Sequence, residues 1–101
     1  MPRVHLSARS RADLAEISGR IGLHDLRAAE RLVDRLIARL KVLRDQPLAG
    51  HPRENIRSGL RSLRCGHYVI LHYTHADHVA VSRIVHHSRD LPALEELDPA
   101  P

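Results

Sequence analysis

The chain has 101 residues and a mass of 11.4 kDa, the size of one domain built on a single core. Charged residues make up 28% and apolar residues 43%, a globular balance that excludes a disordered, collagenous or low-complexity chain. Sixteen basic against twelve acidic side chains give a net charge of +4, and no apolar run approaches the roughly 20 residues of a membrane-spanning helix.

Arg3 to Leu6 alternates polar and apolar residues and predicts a short first strand. Ser7 or Ser10 is expected to cap a helix, since Ser10 followed by Asp13 has the offset of a capping box. Leu14, Ile17 and Ile21 then recur at helical steps, and Gly22 marks the stop. Asp25 is the predicted cap of a second helix, whose apolar stripe runs through Ala29, Leu32, Val33, Leu36, Ile37, Leu40 and Leu43 and ends at Asp45-Gln46-Pro47. Residues 46–59, with two prolines and two glycines, read as a loop.

From Leu60 the period changes to that of strands. Leu60–Cys65 is short. His67–Thr74 is almost continuously apolar, as in a strand covered on both faces. His75-Ala76-Asp77 predicts a tight turn and His78–Val85 the return strand of a hairpin. Ser88 is expected to cap a last short helix through Leu97, after which 98–101 reads as a frayed tail on a single domain of residues 1–97. The expected fold is α+β: an N-terminal strand, a helical hairpin, a three-stranded antiparallel meander and a short C-terminal helix.

Six of the nine histidines fall in residues 67–87, yet no HExxH, CxxC or CxxH spacing accompanies them, so no metal and no cofactor is expected. Cys65 has no oxyanion or base motif and reads as a small buried thiol; being the only cysteine, it suits a reducing compartment. Phosphate loops, nucleophile elbows and paired strand carboxylates are missing, which leaves NTPase, hydrolase and glycosidase chemistry without support. With Tyr68 and Tyr73 as the only members of the Phe, Trp and Tyr set, stacking platforms for single-stranded nucleic acid are not expected. The remaining signal is basic: Arg57, Arg61, Arg64, Arg83, His86, His87 and Arg89 lie on or beside the strands, and arginines on such short strands are expected to face solvent.

Several stretches together resemble the ParE branch of the RelE/ParE toxin superfamily. They are Leu6-Ser7 with Ala12 to Ile17, Ala28 to Leu32, Leu43 to Pro47 with Gly50, Arg57 to Ser62, Gly66 to Tyr73, and Val81 to Asp90 with Leu91. The resemblance implies a helical hairpin on an antiparallel sheet and a toxin of a type II toxin–antitoxin pair. Its implied partner is an acidic ParD-like antitoxin in a hetero-oligomer, and its implied target is DNA gyrase. Candidate antitoxin contacts are Leu32, Leu36, Arg39, Leu40 and Tyr73; candidate target or phosphate contacts are Arg57, Arg61, Arg64, Arg83 and Arg89. On the gyrase reading no catalytic residue is assigned. The alternative is a RelE-like ribosome-dependent mRNA endoribonuclease, for which His86, His87, Arg61 and Arg89 are the catalytic candidates, or a remnant that binds antitoxin without toxicity. The N-terminus, lacking the apolar stretch of a signal peptide, points to the cytoplasm.

Overall fold

A computed structural model describes residues 3–97. In chain order these form β1 (Arg3–Leu6), α1 (Ala8–Gly22), α2 (Leu26–Asp45), β2 (His51–Pro52), β3 (Leu60–Cys65), β4 (Tyr68–Thr74), β5 (His78–His86) and a 3₁₀ turn, Leu91–Ala93. The expected α+β architecture is therefore present, with two additions. β1 pairs in parallel with β5, and the two-residue β2 extends the opposite edge, so the sheet order is β1-β5-β4-β3-β2. Pro52 has no N–H to give, which fits its position on an edge strand.

Both helices begin where short polar side chains replace missing backbone partners. Ser7 caps α1: its Oγ accepts from the Ser10 amide at 3.0 Å and donates to the Ser82 carbonyl at 2.9 Å. Ser10 is thus inside the helix rather than its cap, and Asp13 is buried and engaged elsewhere, so the expected capping box does not form. Asp25 caps α2 as expected, accepting from the Ala28 amide at 3.0 Å. α2 ends at Asp45, just before Pro47.

The helices cover one sheet face. Ile17, Leu32, Leu36 and Leu43 pack there against Leu63, Cys65, Ile70, Val79, Val81 and Ile84. Burial of the Cys65 thiol raises its pKa, against the opposing pull of Arg39 and Arg35. The other sheet face carries a second core of Leu60, Val69, Leu71, Tyr73 and Val85, closed by Leu94 and Leu97. This explains why β4 reads as an apolar run without alternation: five of its seven residues are buried.

The covering segment is not the expected helix. Only Leu91–Ala93 turns, Asp90 makes no side-chain cap, and Ser88 bonds to His86 instead of capping. Glu96 at φ 60° breaks any continuation. Leu91, Leu94 and Leu97 lie three residues apart, a spacing that lays an irregular strap of leucines on the sheet as readily as it suits a helix. Residues 98–101, expected as a frayed tail, lie outside the described residues.

A bulge in β5 sets the site that follows. Leu71 pairs with Arg83 but His72 pairs with Val81, leaving Ser82 as the extra residue; its Oγ donates to the Leu71 carbonyl at 3.2 Å. On the far edge Gly50 has φ +90°, and a β-carbon there would lie 2.2 Å from the Ser62 carbonyl oxygen. Gly50→Ala is expected to lower stability by about 2 kcal/mol, combining left-handed strain with a displaced edge strand. A shift in the urea midpoint at constant slope checks this.

Candidate functional site

Two groups of basic residues that look alike in the sequence separate in the fold. The first is structural. β1 accompanies β5 only as far as Val81, so the edge of β5 beyond it needs another partner. Asp13 of α1 supplies it. Its carboxylate accepts from the Ile84 amide at 3.0 Å and takes the Arg83 guanidinium as a fork, Nε at 2.8 Å and Nη2 at 3.0 Å. Arg9 adds a contact at 3.4 Å. Arg83 also donates through Nη1 to the Glu95 carbonyl at 2.8 Å, tying down the leucine strap. Arg83 is only 3% exposed, so the expectation that it meets a target from the surface is corrected. Its hydrogen bonds to Asp13 raise the pKa of the guanidinium further.

Arg61 is also turned inward. Its Nη2 donates to the Leu48 and Gly50 carbonyls and holds the loop against β3, while its Nε is buried without a partner. The expectation of solvent-facing arginines fails here because the loop before β3 folds over the strand and offers carbonyls. Arg57 is half-buried and donates to the Ile56 carbonyl. Arg89 is exposed. Arg61 and Arg83 are thus engaged in holding the fold, while Arg89 stays open to solvent.

The second group does converge. At the end of the sheet, the Gly66-His67 turn brings β3 to β4, and β5 finishes beside it at His86 and His87; the His87 amide donates to the His67 carbonyl at 2.8 Å. The rings of His67, His86 and His87 lie 4.6–6.1 Å apart with interplanar angles of 10–30°. Tyr68, paired across from His86, meets its ring edge-on at 5.5 Å. The His86 Nδ1 accepts from the Ser88 amide at 3.1 Å and sits 2.8 Å from the Ser88 hydroxyl. That leaves the proton of the neutral ring on Nε2. Lost hydration, then Arg64, His86 and His67, hold the His87 imidazole below its ordinary pKa.

Three arginines stand at the same end of the sheet, of which Arg64 is near enough to His87 to act on its pKa. Arg64 is exposed and folds its Nε onto the Gly66 carbonyl; Arg39 of α2 donates to the Arg64 carbonyl at 3.1 Å. Arg35, one turn earlier, brings Nη1 to 3.7 Å from where a β-carbon on Gly66 would stand. None of the three pairs with a carboxylate among the described residues. Arg35 and His67 were not singled out from the sequence, because only the folded sheet end places an α2 arginine beside a turn. No group of three His, Cys, Asp or Glu suited to a metal occurs among the described residues.

The candidate antitoxin contacts divide in the same way. Leu32 and Leu36 are buried between α2 and the sheet, and Tyr73 is buried on the opposite face with its hydroxyl on the Leu97 carbonyl. Arg39 and Leu40 are half-exposed. The apolar surface that is open lies instead at the helical hairpin. There Leu23 and Leu26 are exposed beside a groove of about 510 Å³ formed with Gly19, Gly22, Ala29 and Val33 and rimmed by Glu30 and Asp34. Leu32 and Leu36, expected as contacts, are taken up instead by the sheet that α2 covers.

Solved structures share this arrangement of an N-terminal strand, a helical hairpin and an antiparallel meander. The chain is similar to one in the chromosomal ParDE toxin–antitoxin system from P. aeruginosa, with a TM-score of 0.73 and 20% identity, covering 85% of this chain and 96% of that one. It is also similar to one in the toxin–antitoxin complex RelBE2 from Mycobacterium tuberculosis, with a TM-score of 0.56 and 23% identity, covering 85% and 99%. No curated protein matches it. The family model described as ParE toxin of type II toxin-antitoxin system, parDE, matches residues 4–91. The chain belongs to the ParE toxin family.

Proposed function

We propose that this chain is a toxin that inhibits DNA gyrase and blocks replication until an acidic ParD-like antitoxin neutralises it. The family match over residues 4–91 is the observation that supports this reading. On it the protein is a binding inhibitor rather than an enzyme, and it acts in the cytoplasm. The net charge of +4 favours rapid, salt-sensitive capture by an acidic partner. The open groove beside Leu23 and Leu26 offers that partner's apolar residues a seat.

A second reading, a ribosome-dependent mRNA endoribonuclease, draws support from the imidazoles at the sheet end. His87, held neutral near pH 7, is suited to accept a proton from a ribose hydroxyl, and Arg64 to balance charge on the phosphate. Purified antitoxin-free protein in a gyrase cleavage assay, beside a ribosome-bound mRNA cleavage assay, separates the two. Trapped gyrase–DNA complexes with intact mRNA are expected. Cut mRNA with unaffected gyrase would replace the first reading by the second, and inertness in both would leave an antitoxin-binding remnant.

A further inference from the structure

The sheet end combines two kinds of chemistry that few ligands use together. Arg35, Arg39 and Arg64 are charged at any physiological pH and have no carboxylate partner among the described residues. His67 and His87 are exposed, so the parts of their rings turned away from the stack they form with His86 are open to a ligand. Gly66, with no side chain, leaves room for a ligand to approach the turn between them. A guanidinium grips a phosphate through paired N–H donors, and flat exposed rings stack on bases. An acidic peptide would satisfy the arginines and the imidazole N–H groups through its carboxylates, but carboxylates do not stack on ring faces. A duplex would present phosphates while keeping its base faces inside the stack. An unpaired strand has both.

We propose that the sheet end formed by Arg35, Arg39, Arg64, His67, His86 and His87 binds an unpaired nucleic-acid strand, the arginines holding its phosphates and the exposed imidazoles stacking on its bases. This does not depend on whether gyrase is the target. On this proposal the stacking platform, which the scarcity of Phe, Trp and Tyr argues against, is made of histidine.

The test uses the full-length protein and fluorescein-labelled oligothymidylate about eight nucleotides long, with anisotropy as the readout and gyrase absent. Competitors are a duplex of the same length, pyrophosphate and a glutamate-rich peptide. The single strand is expected to bind more tightly than the duplex. Arg39→Gln with Arg64→Gln should weaken it about tenfold and flatten its salt dependence. His67→Ala with His87→Ala should remove the preference for single strand while preserving residual, salt-sensitive binding. Circular dichroism confirms that these surface variants fold. Equal affinity for the duplex would overturn the stacking part, and competition by pyrophosphate at the same concentration as by oligonucleotide would reduce the site to a phosphate site. Displacement by the peptide at lower concentration than by oligonucleotide, or unchanged binding in both variants, would refute the proposal. Because gyrase is absent, failure here leaves the gyrase reading intact, and failure there leaves this one intact.

Discussion

Replacing Asp13 with alanine is expected to lower the unfolding free energy by about 3–5 kcal/mol, the range for breaking a buried ion pair from one side. The carboxylate neutralises an arginine that is 3% exposed and satisfies the Ile84 amide at an unpaired strand edge. Its loss leaves a charge and an N–H group buried without partners. For a domain of this size that is a large share of a total stability of about 5–15 kcal/mol. The leucine strap should loosen as well, since Arg83 also holds the Glu95 carbonyl. Urea unfolding gives the global figure, and hydrogen exchange at residues 91–97 reports the strap. The double variant Asp13→Leu with Arg83→Met, which buries neither charge, should lose less than Asp13→Ala alone. An Asp13→Ala protein as stable as the parent would mean that water reaches Arg83 and replaces the carboxylate.

The second large effect concerns pH. His72 is fully buried on β4, beside Arg61 on β3, and neither of its ring nitrogens has a partner. Burial, and after it the charge of Arg61, together lower its pKa from 6.5 to about 4. The folded protein therefore resists a proton that the unfolded chain accepts near pH 6.5. The stability this contributes is complete above about pH 6.5 and is lost as the pH falls towards about 4, where the loss reaches about 3 kcal/mol. His72→Leu should remove this dependence. Subtracting the variant's loss between about pH 8 and pH 5 from that of the parent isolates the histidine, with about 2 kcal/mol expected. Identical losses would show that the imidazole is protonated without unfolding.

What the sequence makes legible follows the range of the interactions. α2 is readable from its own residues, because Asp25, the apolar stripe and Pro47 all act within a few positions of where they stand. β4 and β5 are readable as a hairpin for the same reason. Asp13 and Arg83 are separated by seventy residues, so nothing local distinguishes this arginine from Arg64, which faces solvent. Arg61 is misleading in the same way, since the carbonyls it binds come from a loop whose path depends on Gly50. Leu91, Leu94 and Leu97 were legible as apolar but not as a strap, because their spacing fits two conformations and the bare sheet face decides between them. At the sheet end, His86, His87 and Arg64 stood out by composition. Their neighbours Arg35 and His67 became visible only when α2 and the turn were placed together.

The parallel pairing of β1 with β5 also governs the order in which the protein can come into being. During synthesis β1 and α1 leave the ribosome first, yet Val4, Leu6 and Asp13 find their partners only on β5, the last strand made. A nascent chain that stops before His78 holds a helical hairpin with one side uncovered and an edge strand with nothing to join. Contacts of such long sequence separation close late, so the sheet is completed only once β5 has been made, and no fragment ending before β5 presents the complete sheet end.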